Sequence, residues 1–163
     1  ILRLGAVDYD ARTIDWNERM RVFGYEPGAH HFLRDGDVLI VGRGAKRTAV
    51  LVEEPPDRTV ADRTFFVARP DSDQVVPAFL AWYLNERRAQ HYLQSHSRGT
   101  NIQTIKKSAL ERLPVQVPPL DTQERIADIQ ALLRREQELL RAWMDRRSEL
   151  ARAKMIQKLN TSN

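Results

Sequence analysis

From Asp121 to about Leu159 the chain contains neither glycine nor proline, and Pro118-Pro119 stands immediately before that stretch. A proline pair halts any helix arriving from upstream, while the break-free run behind it lets a single helix propagate. Asp121 is suited to the N-cap, and Glu124 three positions on completes a capping-box pattern. Ile126, Ile129, Leu133, Leu140, Trp143 and Leu150 then recur at alternating steps of three and four, with Glu136 and Arg147 on two steps of the same series. The spacing predicts one helix of roughly 39 residues, about 58 Å long. In a chain of 163 residues, such a helix cannot bury its whole stripe on its own domain. It calls for a partner helix of coiled-coil type.

The stretch before it reads differently. Asp35-Gly36-Asp37 signals a turn, followed by the apolar run Val38 to Val41. Thr48 to Val52 and Thr64 to Ala68 are two further β-branched or aromatic stretches. Pro77 fits a first helical turn, with Leu80, Tyr83 and Leu84 on one face behind it. A second helix is expected over Arg88 to Ser95 and a short one around Ser108 to Arg112. Leu113 to Val117 alternates like a short edge strand. The expected fold is α+β: a small mixed domain over residues 1–120, then the long C-terminal helix over 121–163.

Composition narrows the function. No run approaches the roughly 18 apolar residues of a membrane helix, and no secretory pattern opens the chain. The absence of cysteine excludes a disulfide framework and a thiolate zinc site, and it suits a reducing cytoplasm. Ile1 is not an initiator methionine, which predicts that the numbering begins inside a longer precursor. The formal net charge is +4 and the pI about 9.7, a balance that favours polyanionic partners. The excess is local: Leu84 to Arg112 holds Arg87, Arg88, Arg98, Lys106, Lys107 and Arg112 against Glu86 and Glu111.

No catalytic constellation stands out. His30, His31, His91 and His96 form no HExxH pattern, and no nucleophile elbow or phosphate-binding glycine loop occurs. His91 and His96 diverge by about 140° on a helix and make a poor metal pair. The sequence therefore predicts no catalytic residue, no metal site and no cofactor. Gly42-Arg43-Gly44-Ala45-Lys46-Arg47 instead places three cations in five positions between two expected strands. Glycines let a backbone approach a ligand closely, and arginines fork to phosphates or guanine edges. Arg43, Lys46 and Arg47 are the first candidates for contact with DNA. The polar turn Ser97 to Asn101 can offer Thr100 and backbone N–H groups to phosphate. Arg98, Lys106 and Lys107 come next. Trp82 and Trp143, at helical spacing, read as packing residues.

In this order the features resemble a known family, the specificity subunits of type I restriction-modification systems. Leu4-Gly5 is similar to the family's opening step, and Leu33 to Leu39, with Gly36-Asp37, to its strand entry. Phe65 to Pro70 resembles its "FFVLRP" strand and Phe79 to Leu84 its "yLyyyL" helix. Ser97 to Thr100 resembles the "S-x-G-T" turn, Leu113 to Leu120 the "LPIPLPPL" segment, and Asp121 to Ala127 the "EQ-x-x-IA" helix start. Each motif is degenerate alone, but seven in order are specific.

The resemblance implies a non-catalytic subunit that binds double-stranded DNA. Separate methyltransferase and restriction subunits would supply adenine methylation from S-adenosylmethionine and ATP-dependent cleavage. Members usually carry two recognition domains joined by two antiparallel helices, whereas this sequence has one of each. It therefore reads as a fragment or as a half-size subunit. A homodimer through antiparallel long helices would restore the pattern and read two inverted half-sites, with its domains separated by a length comparable with or exceeding one DNA turn of about 34–36 Å. Two other readings stand beside this one: a protein-interaction adaptor working through its helix, and the recognition portion of a fused restriction-methylation enzyme.

Overall fold

A computed structural model describes residues 1–163 except 23–26, 45–46, 99–102 and 162–163. A minimal hairpin opens the chain, β1 (Val7–Asp8) pairing antiparallel with β2 (Thr13–Ile14). The central sheet has three antiparallel strands, β3 (Val38–Val41), β4 (Ala49–Leu51) and β5 (Phe65–Ala68), in the order β4-β3-β5. Helices α1 (Pro77–Asn85) and α2 (Arg87–Ser95) follow. Next come β6 (Ser97–Arg98), β7 (Thr104–Ile105), α3 (Lys107–Glu111) and α4 (Leu120–Thr161). The mixed α+β domain with a long C-terminal helix is the fold expected from the sequence. Ile1–Ala127 form one compact unit and Asp128–Asn163 a second. The first two turns of α4 thus belong to the compact unit.

β3 explains why its sequence is a continuous apolar run rather than an alternating one. All four of its residues are buried, so both faces of the strand carry core. Leu39 and Val41 join Leu2, Val7, Val50, Val52 and Phe65 on one side. Val38 and Ile40 join Ala49, Ala81 and Leu84 on the other, where α1 packs. A third, smaller cluster of Leu93, Ile105 and Ala109 ties α2 to β7 and α3.

The turn before β3 is locked by its own aspartate. Asp37 is 1% exposed; its Oδ2 accepts from the backbone N–H of Arg34 at 2.8 Å. Arg69, at the end of β5, donates through Nε to Oδ1 at 2.7 Å and through Nη2 to Oδ2 at 2.8 Å. The same Nη2 donates to the Phe32 carbonyl at 3.0 Å. That hydrogen bonding to Asp37 raises the Arg69 pKa further above its ordinary value, so the guanidinium stays charged. Bidentate geometry of this kind is stronger than a neutral hydrogen bond. Gly36 occupies φ +82° in the turn, a conformation that glycine reaches without strain.

Two side-chain amides complete the frame. Asn85, closing α1, pairs with both backbone groups of Ala49, accepting at 3.0 Å and donating at 2.7 Å. Gln123, fully buried, accepts from Val76 N–H at 2.9 Å and donates to the carbonyls of Gln74 at 3.0 Å and Pro118 at 2.7 Å. It staples the start of α4 to the segment that enters α1.

Two sequence expectations need correction. Leu113 to Val117 is not a strand: Pro114 has no N–H to donate, and the segment is held by packing and by the Tyr83 hydroxyl, which donates to the Pro114 carbonyl at 2.9 Å. Asp121 is not the N-cap, because α4 starts at Leu120 and the Pro119 carbonyl accepts from Thr122 and Gln123 N–H. Asp121 lies in the first turn, where its charge suits the helix dipole, and pairs with Arg125 at 3.7 Å. Among the described residues no helix is long and apolar enough to cross a membrane.

Two stability predictions follow from these buried groups. Arg69→Leu strands a buried carboxylate and should cost about 3–5 kcal/mol in urea unfolding, while adding Asp37→Asn should recover part of that loss. Simple additivity of the two substitutions would show that the pair is not coupled. Gln123→Leu leaves one N–H and two carbonyls without their partner and should cost about 3 kcal/mol in the same measurement.

Candidate DNA interface

The loop after β3 is pinned to the strand that follows the second helix, although some sixty residues separate them in sequence. Gly42 N–H donates to the Thr64 carbonyl at 2.8 Å, Ile105 N–H donates to the Gly42 carbonyl at 2.9 Å, and Gly44 N–H donates to the Gln103 carbonyl at 2.9 Å. Arg43 forms an antiparallel bridge with Thr104. Gly42 also passes close to β5, where a Cβ would lie 2.5 Å from the Phe66 ring and force it to shift. Gly44 sits at φ +120°, where a side chain would be strained.

This pairing brings together cations that the sequence places far apart. Arg43, Lys106 and Lys107 are exposed, Arg43 in the β3–β4 loop and the two lysines at the start of α3. Lys107 Nζ lies 3.5 Å from Glu111, which neutralises part of its field. Lys106 has no ion pair among the described residues. Arg98 enters β6 through its backbone, opposite Thr104. Lys46 and Thr100 lie outside the described residues.

Arg47 differs from the exposed loop cation that its sequence position suggests. It is 8% exposed, its Nε donates to Ser97 Oγ at 3.0 Å, and its Nη2 donates to Gln103 Oε1. The Ser97 hydroxyl passes the chain on to the Leu93 carbonyl at 2.6 Å, and Gln90 Nε2 donates to the Arg47 carbonyl at 2.8 Å. Arg47 is therefore the tie between the β4 entry, α2 and the β6–β7 pair. Composition showed its charge but not the groups that enclose it.

Beside Arg47 lies a second basic surface. Arg87, Arg88, Gln90, His91 and Gln94 of α2 line an open depression of about 670 Å³ together with Arg47. Arg87 and Arg88 were visible as charge but carried no motif. Among the described residues, no group of three or more His, Asp or Glu is placed to hold a metal ion.

Long-helix residues complete the inventory. Ile126 is half-buried in the compact unit. Within the second unit Ile129, Leu133, Leu140, Trp143 and Leu150 are exposed, and so are Leu132, Leu139, Met144, Met155, Ile156 and Leu159. The apolar face of α4 is thus broader than the three-and-four series alone describes. Arg147, which occupies one step of that series, sits 5.3 Å from the centre of the Trp143 ring.

The fold coincides with that of a known family. Residues 34–142 match the model of the type I restriction modification DNA specificity domain, a span that covers more than half of the chain. The chain belongs to that family. Among solved structures it is similar to the HsdS subunit from Thermoanaerobacter tengcongensis, with a TM-score of 0.65 and 23% identity over 86% of this chain and 37% of that one. A second similar structure comes from work on complex assembly and conformational transition of the type I R-M system. Its TM-score is 0.68 at 22% identity, again over 86% of this chain and 37% of that one. The chain thus spans little more than a third of the length of either. No curated protein matches it.

The two loop arginines should separate cleanly in mutagenesis. Arg47→Ala removes a buried guanidinium and its two side-chain hydrogen bonds, to Ser97 and Gln103, and should cost about 1–3 kcal/mol, with faster hydrogen exchange at the Ile105 amide. Arg43→Ala touches an exposed side chain and should stay within about 0.5 kcal/mol of the parent protein.

Proposed function

We propose that this chain is the DNA-reading half of a type I restriction-modification specificity subunit, without catalytic residues of its own. The observation that carries this reading is the family match over residues 34–142, which takes in the pinned loop, the basic α2–α3 region and the start of α4. Exposed cations supply a salt-sensitive, sequence-blind affinity for the phosphate backbone. Specificity then comes from side chains that enter the major groove. Arg43 is the leading candidate for that role, because a side chain on a fixed backbone selects geometry better than one on a loose loop. Lys46, Arg98, Thr100, Lys106 and Lys107 are proposed to flank it.

The methylation and cleavage that follow recognition belong, in this reading, to separate methyltransferase and restriction subunits acting on DNA in the cytoplasm. The apolar face of α4 is proposed to pair with another long helix, that of a second copy lying antiparallel. Ile129, Leu133, Leu140, Trp143 and Leu150 would be covered in that pair. A dimer then presents two recognition units to two inverted half-sites. The same exposed face supports a second reading, an adaptor that works through its helix alone.

Two measurements test this. Light scattering at micromolar concentration should give the mass of a dimer; a monomer would remove the antiparallel pairing. Binding to duplex DNA should be present at low salt and weaken steeply between about 50 and 200 mM. No binding at either concentration would favour the adaptor.

A further inference from the structure

The depression on α2 is lined by side chains that end in guanidinium, imidazole or amide groups. Arg47, Arg87, Arg88, Gln90, His91 and Gln94 surround it, with neither a carboxylate nor an aliphatic side chain among them. Arg87, Arg88, His91 and Gln94 are exposed. Among the described residues, neither arginine has an ion pair. Their position is also electrostatically poor for folding. They open α2, whose first turn contains no acidic residue beyond the Glu86 N-cap, so both cations face the positive end of the helix dipole. Such placement opposes the dipole, and among the described residues no ion pair of their own offsets it. An anion lying across that turn would reverse its sign.

The depression is also mechanically joined to the loop that carries Arg43. Gln90 Nε2 reaches the Arg47 carbonyl at 2.8 Å and the Leu84 carbonyl at 2.6 Å, so the same amide fixes the α1–α2 junction and the end of the loop. Arg47 passes the connection on to Gln103, whose carbonyl receives Gly44 N–H. A ligand held on α2 therefore sits in fixed register with Arg43.

We propose that the α2 depression is a phosphodiester clamp, in which Arg87 and Arg88 grip the backbone of one DNA strand and set the register in which Arg43 meets base edges. The proposal rests on the DNA-binding reading above. It divides the labour: α2 supplies affinity that is blind to sequence, and the pinned loop supplies discrimination. Guanidinium forks suit phosphate oxygens, and the amide of Gln94 adds a neutral donor.

The test uses the full chain, a short duplex enriched from a randomised pool by the parent protein and an unselected random-sequence duplex, with anisotropy measured across a salt series. Arg87→Ala/Arg88→Ala should lower affinity for both duplexes alike, by about tenfold or more at low salt, and should reduce the slope of log K against log salt by about 2. Its melting temperature should equal or exceed that of the parent, since two unfavourable charges have left the first turn. Arg43→Ala should instead shrink the difference between the two duplexes. An unchanged salt slope in the double variant, with the parent protein binding normally, overturns the clamp alone. Failure of the parent protein to bind either duplex overturns the DNA reading and the clamp with it. Normal DNA binding by the double variant together with lost binding to a methyltransferase subunit would assign the depression to an acidic protein surface and also overturn the clamp.

Discussion

Everything in the compact unit depends on one four-residue strand being buried on both faces. Val38–Val41 supplies side chains to two separate cores, so its register cannot slip by a residue without exchanging them. Its two ends are then fixed in different ways. At the start, Asp37 binds the turn and Arg69; at the finish, Gly42 passes so close to Phe66 that a Cβ would force the ring to shift. The strand that holds the fold therefore also aims the loop leaving it. Arg43 inherits its position from that rigidity.

The motifs legible in the sequence turn out to do mainly structural work. Gly36-Asp37 and Arg69-Pro70 are two halves of one latch, and the glutamine in the α4 start motif is a buried staple. Strands β3 and β5 and helices α1 to α4 were readable because hydrophobic period and punctuation act locally. The 113–117 segment misled because alternation alone does not provide a hydrogen-bonding neighbour. The enclosure of Arg47 is hidden for a related reason: three cations in one loop look equivalent until the partners from residues 90, 97 and 103 arrive. Those partners lie more than forty residues away, so nothing near Arg47 in the sequence announces them. Arg87 and Arg88 are legible in the sequence only as charge, since a cation pair at a helix start matches no motif and gains meaning only from the Arg47, Gln90, His91 and Gln94 side chains beside it.

The long helix poses a different physical problem. Its second unit keeps leucines, isoleucines, methionines and a tryptophan in water. An apolar stripe of that extent on a single helix is a sign of an interaction surface. Burying it against a like helix would convert two marginal surfaces into one core and would link two recognition units into one reader of a divided target.

In the proposed division of labour, DNA is met by the pinned loop and the α2 face within the compact unit, and not by the long helix. Hydrogen exchange on the full chain, with and without duplex DNA, addresses it directly. Added protection should concentrate in peptides covering Gly42–Arg47 and Arg87–Gln94, with residues 128–159 unchanged by DNA. Protection confined to the long helix, with the loop and α2 unaffected, would contradict it.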